Sequence, residues 1–499
     1  MNDHASASSP AFDCIIIGAG ISGINAAYRF QEAFPSGTCA ILEGRSELGG
    51  TWSLFKYPGI RSDSDLHTFG FPFNPWEKPN PIGDGASIVQ YCKDTAAKFG
   101  IDRKIRYRHK VVHAEWRSEE QRWRLDVDVE GEGEGVERKV FWANWLIMGT
   151  GYYDYDKPLQ ADIPSLHDFK GTTVHPQFWP EDLDYKGKKV VVIGSGATAI
   201  TLLPSLTNGG ATSVTMLQRS PSYVMSLPQR QVGGPPLWHE RIFPKWISLK
   251  IERTKSIVIG YLFWLFCQYF PGAGAWLLRS QAKKHLPPGF VMDPHFYPNY
   301  NPWEQRLCLC PDADFFKCFE TGRAQIVTAT IKNVVEDGIL LNNGDKLDAD
   351  IIVTATGLRL SLLGKMSITK DSTPITIPSH FVWRTCMITA LPNFGFLMGY
   401  VNASWTLGSD TSARLLMRVM KHQKEHGFTS ATPEIEDDEK ENEELPLGLN
   451  STYFKGAEKI MPKSGGKGAF KKRKNYFVDW WIAGFGSVVD GIVYGRKTV

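Results

Sequence analysis

Residues 14–27 read CIIIGAGISGINAA, and residues 190–203 read VVVIGSGATAITLL. Each begins as a β-branched apolar run and passes through a small-residue turn: Gly18, Gly20 and Gly23 in the first, Gly194, Gly196 and Ala199 in the second. Each then continues with apolar residues at helical spacing. Strand, glycine turn and helix in that order make a cradle in which backbone N–H groups and a helix N-terminus meet a pyrophosphate. One cradle serves one dinucleotide. Two cradles imply two, and the natural pair is a flavin and a nicotinamide.

The residues after each cradle tell the two apart. The first unit is predicted as strand 14–17, helix 21–34 and strand 38–42, ending in Glu43. An acid there can accept both hydroxyls of a ribose and disfavours a 2′-phosphate. That suits the AMP half of FAD, or NAD; the alternative for Glu43 is a solvated turn residue. The second unit is predicted as strand 189–193, helix 197–206 and strand 213–217, followed by Gln218, Arg219 and Ser220. A guanidinium with a neighbouring hydroxyl suits a 2′-phosphate, so the expected ligand is NADPH. The alternative for Arg219 is a surface arginine.

Length and composition bound the rest. A chain of 499 residues, 42% of them apolar, can bury large cores across about two to four domains. A net charge of +3 argues against a nucleic-acid partner. The eight cysteines form no CxxC, and Cys14 and Cys39 fall in strands expected to be buried; they read as reduced thiols of an intracellular protein. No metal site is expected. Residues 1–13 are polar without a signal core, so the expected location is cytoplasmic. The most apolar stretch, SIVIGYLFWLFCQYF at 256–270, is too short to span a bilayer comfortably. It reads either as a buried or pocket-lining helix, or as a patch that associates peripherally with a membrane or forms a greasy mouth for an apolar substrate.

Segments 104–140 alternate as a β-meander, and LIMGTGYY at 146–153 and IIVTATGL at 351–358 read as strands returning to glycine turns. The expected fold is therefore α/β, with two Rossmann-like dinucleotide-binding domains, the second inserted in the first, and a helical insertion. The boundaries are drawn at 1–155 and 346–499 for the FAD domain, the latter with a C-terminal extension, and at 156–224 and 301–345 for the NADPH domain. The segment 225–300, crowded with tryptophan, phenylalanine and proline, is expected to roof the site. The acidic run 432–445 and the basic run 463–474 read as two separate solvated loops.

Further motifs carry a family likeness. These are GGTWSLFKYPGIRSDSDLHTFGFPF at 49–73, FKGTTVHPQFWP at 169–180, MLQRSPSY at 216–223, YNPWEQRLCL at 300–309 and NASWTL at 402–407. The second fits FxGxxxHxxxWP. Together they resemble the class B flavoprotein monooxygenases, specifically the Baeyer–Villiger monooxygenases, and most of all the subgroup of the ethionamide-activating mycobacterial enzyme. The likeness spans about 12–410 and fades beyond.

That resemblance implies that Ser22, Glu43, Gly50, Thr51, Trp52, Leu54, Asp63 and the backbone of Val111 line FAD, together with the first glycine loop. The plain alternative for Trp52 is core packing. NADPH would lie on Gly194, Ser195, Gly196, Ala197, Thr198 and Ala199 with Arg219 and Ser220, and His175 would orient the interdomain linker when it binds. Arg306 would face the flavin as the catalytic cation, with Asp63 pairing it. A flavin C4a-peroxide survives only where a fixed cation stabilises it and water is excluded, and arginine does this without giving up its proton.

The expected activity is an FAD-containing, NADPH- and O₂-dependent conversion of small apolar ketones to esters or lactones, with sulfide or thioamide S-oxygenation as a side activity. The alternative is an N- or S-oxygenating flavin monooxygenase without Baeyer–Villiger activity, against which the full FxGxxxHxxxWP argues. A disulfide reductase would need a cysteine pair at the flavin, and none has the spacing. A non-enzymatic redox-sensing flavoprotein is the third reading. The substrate pocket is expected from the insertion, the Arg306 segment and the loop 402–407.

Overall fold

The computed structural model describes residues 11–497 except 132, 134, 232 and 447–456. Strand β1 (Phe12–Ile17) sends alternate side chains into two cores: Cys14 and Ile16 to one side, Ile15 and Ile17 to the other. A strand buried on both faces belongs in a parallel sheet covered by layers on each side. β1 pairs in parallel with β2 (Cys39–Leu42), which pairs in turn with β3 (Ile105–Arg106). On its other side β1 meets the end of a later strand, Val136–Met148, which itself pairs in parallel with Phe394–Phe396.

The predicted meander is continuous with this sheet. β4 (His109–Arg117), β5 (Arg122–Glu130) and β6 (Val136–Met148) run antiparallel. The thirteen residues of β6 serve both parts, the first half pairing with β5 and the second with β1. The helix α1 (Ile21–Ala33) covers one face. Cys39 opens β2 two residues before the pairing with β3 begins at Ile41, and is only partly buried; Cys14 is fully buried, and all eight cysteines are free thiols.

The second sheet repeats the logic. In β8 (Lys189–Ile193), Val190 and Val192 enter one core, Val191 and Ile193 the other. The strand order is Ala324–Thr328, β9 (Ser213–Gln218), β8, Ile351–Thr354 and β7 (Thr172–Val174), all parallel. Ile351–Thr354 thus lies between β8 and β7, and Lys346–Asp348 pairs with Gly338–Leu341. Ile351–Thr354 therefore joins the second sheet although it follows the boundary drawn at 345/346, and Lys346–Asp348 closes a separate three-stranded sheet with strands before that boundary; local spacing does not report which sheet a strand joins.

Two further expectations change. The insertion is helical, with helices Trp238–Ile242, Lys245–Tyr269 and Pro271–His285. Of Ser256–Phe270, however, only Cys267 is buried, so this is neither a buried nor a pocket-lining helix. The insertion instead docks through Arg253, whose buried Nη1 donates to the carbonyls of His67, Thr68 and Gly70 at 2.9, 3.1 and 2.6 Å. Last, the acidic and basic runs are zipped together: Lys463 to Glu443 at 2.9 Å, Lys467 to Glu441 at 3.4 Å, Lys472 to Glu444 at 2.6 Å.

Candidate active site

Both glycine turns open onto one cavity of about 1440 Å³, larger than the usual range for a single small ligand. The first turn is tight because Gly18 has a φ of +97° and because a Cβ on Gly23 would lie 1.8 Å from the Gly18 carbonyl oxygen. Helix α1 can therefore start directly against β1. Neither α1 nor the helix Ala197–Asn208 has a side-chain cap, and each starts directly after a glycine turn that borders the cavity. Their N-termini leave N–H groups for an anion, which is the arrangement a pyrophosphate needs.

Glu43 stands at the end of β2, buried to 8% exposure, and accepts the N–H groups of Ala19 and Arg45 at 2.7 and 2.9 Å. Burial pushes its carboxyl up, while those two N–H bonds and the Arg45 charge pull it back. The two backbone donors fix its orientation toward the cavity it borders. Ser22 also borders the cavity, its hydroxyl accepting the Trp405 indole N–H at 2.8 Å. Thr51 meets the Tyr155 hydroxyl at 3.1 Å, and Gly50, Trp52, Leu54 and Val111 complete this end.

At the second turn, Gly194, Ser195, Gly196, Ala197, Thr198, Arg219 and Ser220 all line the cavity, Arg219 being exposed to it. Ser195 donates to the Ser220 carbonyl at 2.8 Å, tying the turn to the end of β9. Tyr57, beside the Thr198 hydroxyl, has its phenol pushed up to about 12 by burial and stays neutral there.

Between the two ends lies the charged pair. Arg306 donates from Nε to Asp63 Oδ2 at 2.6 Å and from Nη2 to Asp63 Oδ1 at 2.9 Å and to Ser64 Oγ at 3.0 Å. The two-point fork fixes the plane of the guanidinium as well as its place. Asp63 sits in the segment 61–70, which is held from several directions. Arg61 forms a bidentate pair with Asp314, Arg253 caps the carbonyls at its end, and Thr406 donates to the Phe69 carbonyl at 2.5 Å.

Three predicted cofactor residues do not border the cavity. Gly23 and Ala199 are buried at helix–strand contacts, where their small size is what allows the helix to approach. His175 lies behind the wall, its ring accepting the Gln177 N–H at 3.2 Å, with its charged form disfavoured by burial. Gln177 in turn donates to the Asp154 carbonyl at 2.7 Å, on the crossing between the sheets. The insertion is corrected too. No described residue of 225–300 borders the cavity, because the insertion packs on the helix Leu66–Phe69 instead of over the opening. Of the loop 402–407, Trp405 alone lines it.

Residues not predicted are Tyr152, Tyr153 and Tyr155. Tyr152 stacks on Trp405 at 4.8 Å, and burial raises its phenol. The signal was present as the run GTGYYDY at 149–155, in which the aromatics directly follow the return-strand glycines.

The model of flavin-binding monooxygenase-like proteins matches residues 13–238. The FAD-containing monooxygenase EthA of Mycolicibacterium smegmatis is 43% identical over 94% of this chain and 94% of its own. The putative FAD-containing monooxygenase MymA of Mycobacterium tuberculosis is 42% identical over 99% and 98%. The probable FAD-binding monooxygenase AlmA of Acinetobacter baylyi is 39% identical over 97% and 96%. The likeness to MymA therefore continues past residue 410, where the motifs fade. Among solved structures, an oxidised steroid monooxygenase bound to NADP shares the fold with a TM-score of 0.74 at 22% identity, covering 98% of this chain and 100% of that one. OTEMO in complex with FAD and NADP does so with 0.68 at 20% identity, covering 85% and 87%.

Proposed function

This chain belongs to the flavin-binding monooxygenase-like family, and from that premise we propose that it is an FAD-containing, NADPH- and dioxygen-dependent Baeyer–Villiger monooxygenase. The overall change is a small apolar ketone plus O₂, NADPH and a proton giving an ester or lactone, water and NADP⁺. Sulfides are expected to be oxygenated as a side activity. Bound FAD would supply the passage of electrons from NADPH to dioxygen and the delivery of one oxygen atom.

The observation that carries this reading is Arg306, clamped by Asp63 and Ser64 in the cavity onto which both cradles open. A preorganised cation is most useful where negative charge develops on oxygen in a site shielded from water. The other residues take supporting roles in the same reading. Glu43 would bind the ribose of FAD, and Arg219 with Ser220 the 2′-phosphate of NADPH. Tyr152 and Trp405 close one wall with apolar surface and limit water. Asp63 holds the guanidinium flat and in place.

The test is turnover of the holoenzyme under isotopically labelled dioxygen with a ketone and, separately, a thioether. The expected result is an ester carrying one labelled oxygen, with one NADPH consumed per product. Hydrogen peroxide equal to the NADPH consumed on both substrates would overturn the proposal. Sulfoxide without any ester would move the chain to the N- and S-oxygenating branch.

A further inference from the structure

The helix Lys245–Tyr269 turns a stripe of apolar side chains outward. Ile259, Leu262 and Tyr269 lie three and seven residues apart, near one and two helical repeats, and with Phe270 just past the helix end they are 56–76% exposed. Trp276, 65% exposed, continues the surface onto Pro271–His285. A second helix, Tyr476–Phe485, does the same with Phe477, Trp481 and Phe485, spaced by four. The two surfaces join, since Tyr261 and Phe477 meet edge to face at 5.0 Å. None of this borders the active-site cavity.

Beside the second helix lies a smaller cavity of about 220 Å³. Arg384, Lys471, Lys472, Arg473 and Lys474 border it, with Val478 and Ile482 of the helix forming its apolar side. Two of its polar atoms are buried without a partner: Arg384 Nε and the hydroxyl of Thr385, a residue with no exposure. A buried donor left unmade costs about 1–3 kcal/mol, so a cavity carrying two among cations fits an anion. Its one acid, Asp479, is engaged by Arg473 at 3.6 Å and by Tyr400. Lys472 is engaged by Glu444, and Arg473 by the Met398 and Gly408 carbonyls. Lys471, Lys474 and Arg384 remain on the cavity rim.

We propose that this face lies on an anionic lipid bilayer, with the aromatic stripes in the interfacial layer and a headgroup phosphate seated among Arg384, Lys471 and Lys474. Tryptophan, tyrosine and phenylalanine beside basic residues make the composition of an interfacial surface. The face lies on the membrane instead of crossing it. No single described helix is long and apolar enough to span; the two insertion helices reach that length and apolarity only together, and they bend by 119° between them. The acids around the rim of the insertion are committed to bases: Glu77 to Lys245, Glu240 to Arg230, Glu252 to Lys255. Charge complementarity disfavours a second copy as the occupant. A two-fold contact places the same surface against itself, which would bring two basic rims together.

The test is co-sedimentation of the purified holoenzyme with vesicles of phosphatidylcholine alone and of phosphatidylcholine with phosphatidylglycerol. Binding to the phosphatidylglycerol vesicles, weakened by salt, is expected, with little binding to phosphatidylcholine alone. The variant K471E/K474E should weaken it at least tenfold, each neutralised base alone being worth about fivefold. The variant W481S/F485S should abolish it at unchanged flavin content and unchanged turnover of a water-soluble substrate. No binding to either vesicle by the wild-type protein overturns the proposal. So does concentration-dependent dimerisation that W481S/F485S abolishes without any vesicle binding, and so does inorganic phosphate raising the melting temperature through Lys471 and Lys474 with no lipid effect. None of these outcomes bears on the oxygenation chemistry, which the labelled-dioxygen experiment decides separately.

Discussion

Replacing Arg306 by lysine keeps a positive charge and removes the fork. In the wild type the guanidinium donates two hydrogen bonds to the Asp63 carboxylate and one to Ser64. A lysine ammonium on a shorter reach can keep one strong contact with Asp63. Two bonds are lost, each charge-assisted, and such bonds are worth about 1.5–3 kcal/mol. The side chains of Arg306 and Asp63 are 31% and 24% exposed, so solvent screens them in part and the lower end applies. About 3 kcal/mol of positional preference is then lost, or about a hundredfold in the oxygen-transfer step, within the range measured when one preorganised donor is removed. The assay compares NADPH consumption, hydrogen peroxide and ester in one reaction, with flavin content as a control. R306K should consume NADPH at a rate within a fewfold of wild type while ester falls about a hundredfold and peroxide rises to match. Ester formation within fivefold of wild type, at full flavin content, would refute the reasoning and return Arg306 to a structural role.

Other outcomes follow from the same geometry. Arg219→Ala should raise the KM for NADPH about tenfold or more and leave that for NADH nearly unchanged, because the 2′-phosphate loses a charge-assisted partner; equal effects on both would remove Arg219 from that role. Gly23→Ala forces a methyl to within 1.8 Å of a carbonyl oxygen and should cost more than about 3 kcal/mol, seen as flavin-poor, low-melting protein, whereas Gly196→Ala meets nothing within 4 Å, so it should fold normally and weaken NADPH alone. Arg253→Met should lower the unfolding free energy, read from the denaturant midpoint, by about 1–3 kcal/mol, since three carbonyls lose their buried donor. Burial lowers His175, His295 and His380 below the ordinary 6.5, so the unfolded chain binds more protons there. Stability from these groups is complete above 6.5 and is lost as pH falls, so the melting temperature should drop between about pH 7 and about pH 5; a flat or rising profile would contradict it.

What the chain reveals by inspection is what depends on near neighbours. Strand β8 was found to the residue, and α1 within one, because the apolar run, the glycine turn and the helical spacing are contiguous. That Glu43 and Arg219 border the cavity was legible because a fixed count of residues separates them from their loops. Pairings across long sequence distances were not. Nothing near Ile351 tells that it lies beside β8, and nothing in the acidic run at 432–445 tells that the basic run folds back on it. The apolar stretch 256–270 misled for a related reason. Hydrophobicity reports a preference to leave water, and that preference is the same for a core as for a surface partner. Gly23 and Ala199 show a third kind of limit: a small residue that lets a helix approach and one that touches a ligand carry the same signature.

The segment 61–70 gives a final consequence. It belongs to the first half of the chain, yet Asp314 grips it at Arg61 and Arg306 grips it at Asp63, and both partners come from the part of the chain around the second sheet. Beside these two pins, Phe55 and Tyr57 pack into the core of the second sheet. A shift of that sheet against the first would therefore be felt at the Asp63–Arg306 pair, so the aim of the cation is tied to how the two sheets sit.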